Sequence, residues 1–136
     1  MNNSRFSVSI HILTLLARAG DKLLSSDHIA GSINIHPVLV RKELINLRKH
    51  KLVATKEGKN GGSYLKKPAG DVYLSEVYRA VHQNTLLAKS KNKGNPQCPV
   101  GSRIDTHLTR LFKDTEKAVL GCLEKTTLKK FAIPFN

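Results

Sequence analysis

Between Ser25 and Leu65 the chain changes its hydrophobic period in a fixed order, and that order leaves few folds open. "SDHIAGSI" places Ile29, Ala30 and Ile33 on one side of a short helix, with Ser25 or Ser26 as its N-cap. "NIHP" is a tight turn, and Pro37 suits the first turn of a new helix, where its missing N–H costs nothing. In "PVLVRKELINLRKH" the residues Val40, Leu44 and Leu47 make a buried side, while Val38, Arg41, Lys42, Ile45 and Lys49 share the opposite one. Ile45 is out of keeping with that polar side and is expected to touch the next element. Leu52 to Thr55 and Ser63 to Leu65 then read as two short strands around "KEGKNGG". The order is therefore helix, tight turn, basic helix and glycine-rich hairpin.

The flanking segments supply what this unit lacks. Ser4 to Ala19 reads as an amphipathic helix, with Phe6, Ile10, Leu13 and Ala17 on one stripe and Leu16 beside it. Helical periodicity returns in "VYLSEVYRAV", where Ser75 is the expected N-cap and Val77, Tyr78 and Val81 the apolar side. "HQNTLLAKSKNKGNPQCPVGS" is polar and rich in Asn, Gly and Pro, so residues 82–102 are expected to form a flexible loop. From Arg103 to Leu123 a long helix carries Ile104, Leu108, Leu111, Phe112, Ala118, Val119 and Cys122 on one stripe. Thr126 and Thr127 begin a short last helix, and Pro134 is expected to end the ordered part. The expected class is mainly α with a small two-stranded β wing. Residues 1–81 would form a winged helix-turn-helix, and residues 103–136 a dimerisation helix with a C-terminal segment.

Charge points to the partner. The 136 residues carry 23 Lys or Arg and 10 Asp or Glu, a formal net charge of +13. A polyanion is the natural complement, nucleic acid before a membrane surface. From His36 to Lys67 there are nine cations (residues 41, 42, 48, 49, 51, 56, 59, 66 and 67) against Glu43 and Glu57, and nine minus two gives +7. More than half of the net charge thus lies in the basic helix and the hairpin.

A helix fits the major groove of B-DNA, where base edges are distinguishable, and a cationic wing can lie along the phosphates. Arg41 and Lys42 are the expected groove contacts, to guanine O6 and N7 or to phosphate, with Val38 placed for a thymine methyl. His36 and Ser26 would contact the backbone from helix starts. Lys56, Lys59, Asn60 and Gly61 would hold the wing to the sugar-phosphate strand, with Lys66 and Lys67 adding charge.

"LSSDHIAGSINIHPVLVRKELINLRKHKLVATKEGKNGGSYLKKPAGDVYLSEVYRAV" resembles the Rrf2 family of bacterial transcriptional regulators, the family of the iron–sulfur cluster regulator and the cysteine-metabolism repressor. The "IA" of the second helix, "LINLRKHKLV", the "GKNGGSYL" wing and "LSEVYRAV" carry the likeness, and "CPVGSRI" before a long helix extends it over nearly the whole chain. The resemblance implies a homodimer with crossing C-terminal helices, a palindromic operator and, usually, repression. Many members place Arg before the first wing glycine, to reach the minor groove. Here Glu57 occupies that place, and Lys59 or Asn60 would have to substitute.

Cluster-binding members place three cysteines in the loop before the long helix, whereas this chain has Cys98 alone there. One thiolate does not hold an iron–sulfur cluster, so no cofactor is expected. Cys98, among lysines that would lower its pKa, is either a redox sensor or a loop residue without a signalling role. Cys122 lies on the apolar stripe and is expected to pack. The six histidines form no i, i+4 metal pair, and no nucleophile motif, phosphate-binding loop or paired carboxylates mark an enzyme. No apolar run of membrane-spanning length occurs, and two cysteines are too few for a disulfide framework, so the expected compartment is the cytoplasm. Two alternatives to an operator-specific regulator stay open: a regulator controlled by a protein partner, and a non-specific basic nucleic-acid-binding module.

Overall fold

In the computed structural model, which describes residues 4–82 and 87–136, the first helix is the centre of the molecule. This helix, α1 (Ser4–Ala19), is followed by α2 (Ser26–Ile33), α3 (Pro37–Lys49), β1 (Val53–Lys56) and β2 (Gly62–Leu65). A short 3-10 turn (Ala69–Asp71), α4 (Leu74–Val81), α5 (Ile104–Leu123), α6 (Leu128–Ala132) and a last 3-10 turn (Ile133–Phe135) complete it. The expected mainly helical class with a two-stranded wing holds.

α1 packs against α3, α4, α6 and β2, so its buried arc is wider than one stripe. Ile12, Leu13 and Leu16 lie at the centre of the core, whereas Phe6, Ile10 and Ala17, expected on the stripe, sit at its partly buried edge. Ile29 of α2, Val40 and Leu47 of α3, Val72, Val77 and Leu128 close around them.

The helix ends follow their chemistry. Ser25 caps α2, its hydroxyl accepting from the N–H of His28 at 3.1 Å. Ser75 does not cap α4, because the helix begins at Leu74 and Ser75 is already its second residue. Glu76 does that work instead: its Oε1 accepts from the N–H of Tyr73 at 3.2 Å. Pro134 lies inside the last 3-10 turn rather than ending the structure before it.

α6 returns to the first helices. The N–H of Leu128 donates to the carbonyl of Val72 at 2.8 Å, and the N–H of Leu74 donates to that of Thr126 at 3.0 Å. Leu128, fully buried, is thereby part of the same core as α1. α5 is different. None of its residues is buried, although Ile104 and Leu111 stand exposed along it. Residues 87–102 contain no helix or strand, and residues 83–86 of the expected loop lie outside the described residues. No described helix is long and apolar enough to cross a membrane.

Candidate nucleic-acid interface

α3 is anchored on one side and free on the other. Val40, Leu44 and Leu47 go into the core as expected. Glu43 goes with them. Its carboxylate receives two hydrogen bonds from the Arg5 guanidinium of α1, at 2.7 and 3.1 Å. That carboxylate, in turn, raises the already high pKa of Arg5 by hydrogen bonding. Asn46 ties the far end of α3 to α4, its Nδ2 donating to the Ala80 carbonyl at 3.0 Å.

The outward side of α3 carries Val38, Arg41, Lys42, Ile45 and Lys49, all exposed. Ile45 is 57% exposed on this outward side. Leu39, half-exposed at 51%, joins the exposed surface and was not singled out by the hydrophobic pattern. Apolar groups left in water on a basic helix suit contact with thymine methyls. Glu43 is a second residue that sequence reasoning missed. It counts as an acid of the basic segment, yet it faces α1 and is neutralised there.

At the start of α3 the Nδ1 of His36 accepts from the N–H of Val38 at 3.1 Å. An accepting Nδ1 leaves the neutral ring's proton on Nε2, so the exposed ring keeps a donor for a phosphate. Ser26 stands at the first position of α2 and is partly buried.

The end of α3 sets the direction of the wing. Lys51 adopts a left-handed conformation at φ 62°, its N–H donating to Arg48 while that of Leu52 donates to Leu47. These two bonds close the helix as a Schellman turn and drive Leu52 into the core. β1 and β2 then pair antiparallel, Val53 opposite Leu65 and Lys56 opposite Gly62. Leu24 and Ser63 exchange backbone hydrogen bonds at 3.1 and 2.8 Å, which pin the hairpin to the link between α1 and α2. Gly62 is required there, because a Cβ would lie 2.8 Å from the Leu24 carbonyl oxygen. At the tip Asn60 takes φ 69°, which Asn tolerates, and a Cβ on Gly61 would stand 2.1 Å from the Lys56 carbonyl oxygen. Gly61 therefore has an internal reason to be glycine, besides any approach to DNA.

Residues 56–60 are all exposed, so Lys56, Lys59 and Asn60 lie open at the hairpin's end. Of the nine cations between His36 and Lys67, eight are exposed. Lys67 is the exception: its Nζ donates to Glu76 at 2.6 Å, which corrects the expectation that it adds free charge to the wing.

The cysteine loop lies elsewhere in the sequence. Cys98 is partly exposed, and its thiol pKa is lowered by the backbone N–H groups of Gly101 and Val100. Neighbouring lysines are not the cause, contrary to the sequence expectation. Cys122 is exposed rather than packed within this chain.

A family model described as Rrf2, iron-dependent transcriptional regulator, matches residues 2–133. The chain belongs to the Rrf2 family. It is 40% identical over 129 residues to YwnA of Bacillus subtilis (strain 168), a protein named as an HTH-type transcriptional regulator, with 95% of each chain covered. A solved structure described as a DNA-binding protein matches with a TM-score of 0.74 and 35% identity, over 93% of this chain and 97% of that one. The global cysteine regulator CymR of B. subtilis shares the fold, with a TM-score of 0.72 and 20% identity, over 97% of this chain and 95% of that one. The protein is thus a DNA-binding transcription regulator with a winged-helix fold, and its relatives are regulators rather than enzymes.

The family's iron chemistry does not fit these residues. An iron–sulfur cluster takes about four ligands, and Cys98 is the one cysteine before α5. Among the described residues no group of three or more His, Cys, Asp or Glu gathers to hold a metal ion.

Proposed function

We propose that this Rrf2-family regulator is a cytoplasmic repressor that binds a palindromic operator as a homodimer. The outward side of α3 reads the major groove in this reading, and the wing holds the backbone. Arg41 and Lys42 bind base edges or adjacent phosphates, Val38 meets a methyl, and His36 and Ser26 contact phosphates. Lys56, Lys59 and Asn60 supply the wing's grip, with Gly61 letting the tip close.

The observation that carries the reading is the two-sidedness of α3: its one acid is turned inward onto Arg5 and its cations and apolar groups are left outward. Dimerisation is supported by α5, an amphipathic helix of 20 residues with no buried residue. Such a helix, on the order of 30 Å long, offers a self-complementary face to a second copy. Two copies would set their α3 helices on half-sites about one helical turn apart. Repression is the mode of action that the family resemblance usually implies.

Sequencing of genomic fragments retained by the purified protein tests the reading. The wild type should enrich a palindrome. Arg41→Ala should relax one position per half-site by about 1–3 kcal/mol. Lys59→Ala should weaken binding to all sequences and flatten the salt slope by about one. Unchanged selectivity in Arg41→Ala would refute the assignment of α3.

A further inference from the structure

Ile45 is the most exposed apolar residue of α3. Isoleucine forms a helix less readily than the lysines and arginines around it, and in water its side chain contributes little through burial. Helix geometry fixes where it stands. At about 100° per residue, Val38, Lys42, Ile45 and Lys49 fall within an arc of about 60°, with Arg41 at its edge. Leu39 lies about 100° round from Val38 and outside that arc. Two bonds on other sides of the helix hold its rotation. Glu43 receives the Arg5 guanidinium of α1 at 2.7 Å, and Asn46 donates to the Ala80 carbonyl of α4 at 3.0 Å.

Apolar groups and cations alternate along the arc: Val38, then Arg41 and Lys42, then Ile45, then Lys49. All of them are exposed. In the major groove the base edges offer acceptors to cations and one apolar group, the C5 methyl of thymine. A face that met phosphates alone would have no use for an isoleucine among its cations. From Val38 to Ile45 the helix rises about 10 Å. Successive base pairs lie about 3.4 Å apart, so for a helix axis along the groove this rise matches about three base-pair steps.

We propose that Ile45 is a specificity-determining residue that packs against a thymine methyl. Each half-site then carries two such methyls about three base pairs apart, one met by Val38 and one by Ile45, with the bases read by Arg41 and Lys42 between them. The reading surface extends over two turns of α3 rather than its first turn alone. This inference rests on the DNA-reading role of α3 and adds the identity of an operator base to it.

Deoxyuridine in place of thymidine deletes the methyl and nothing else. In an operator enriched by the wild type, thymines are replaced one at a time. Two replacements per half-site, about three base pairs apart, should each weaken binding about fourfold, the worth of one buried methyl group. Ile45→Ala should weaken binding to the all-thymine operator by at least a similar factor. It should also become indifferent to deoxyuridine at one of the two positions while keeping the loss at the other. Its salt slope should stay that of the wild type, whereas Lys59→Ala flattens the slope by about one. Alanine favours the helix and Ile45 is exposed, so the variant is expected to fold, which thermal unfolding checks. An Ile45→Ala protein that keeps the full loss at every thymine overturns the proposal, and so does a wild type blind to deoxyuridine at every position. A changed oligomeric state of free Ile45→Ala in sedimentation also overturns it, because the residue would then cover a second copy. Failure of the wild type to enrich any operator strikes the DNA reading itself, whereas an enriched operator insensitive to Ile45 strikes this inference alone.

Discussion

Replacing Arg5 by Met tests what holds the reading helix in place. The guanidinium makes a two-pronged bond to Glu43, whose side chain is only 11% exposed, while that of Arg5 is 46% exposed. Breaking an exposed pair costs about 0–1 kcal/mol. Stranding a fully buried charge costs about 3–5 kcal/mol. Here the stranded partner is the buried one and its counter-ion is half solvated, so a loss of about 2 kcal/mol is expected. For a chain of this size that is a fall in Tm of about 7 °C. Glu43→Leu removes the buried charge itself, so the double variant Arg5→Met/Glu43→Leu should regain most of the loss. Urea denaturation of all four proteins at one protein concentration measures the cycle. Operator affinity of the folded Glu43→Leu protein should stay within about twofold of wild type, because the residue faces α1. A loss below about 0.5 kcal/mol in Arg5→Met would show the pair to be an ordinary surface contact. Altered operator selectivity in Glu43→Leu would show that Glu43 faces DNA, and the orientation of α3 would then be wrong.

Leu111→Glu places a charge on the exposed stripe of α5, so the protein should sediment as a monomer with its core intact and its operator affinity sharply reduced; a retained dimer would remove α5 from the interface. Gly61→Ala forces a methyl against the Lys56 carbonyl and should open the wing tip, seen as faster amide exchange in residues 56–62 and weaker DNA binding, and unchanged exchange would contradict the packing of the tip. Lys51→Gly relieves a left-handed lysine, a strain of about 1–2 kcal/mol partly offset by glycine's greater unfolded freedom, so stability should rise slightly or hold. A clear loss of stability in that variant would mean that the lysine side chain itself makes a stabilising contact.

Much of the fold was legible because it follows from local chemistry. The proline and histidine at the start of α3, the serine before α2 and the glycines of the hairpin each fix a nearby backbone group, and the elements formed where those residues stand. What stayed hidden depends on distant chain segments. A glutamate in the middle of a basic helix reads as a surface acid until an arginine 38 residues away is found beside it. Lys67 reads as free wing charge until α4 presents Glu76. Ser75 reads as a cap although α4 begins one residue earlier.

These long-range pairs act in one direction. Glu43 and Glu76 are both withdrawn into internal ion pairs, one at the expense of a cation outside the basic segment and the other at the expense of Lys67. Glu57 is the one acid of that segment left exposed, and it stands beside the wing tip. The field presented by α3 is therefore more positive than its sequence suggests, while that of the wing is less so. Phosphate attraction should then be stronger at the helix than at the hairpin, and at low salt Lys42→Ala should weaken DNA binding more than Lys56→Ala. Equal losses of low-salt affinity in the two variants would contradict that division.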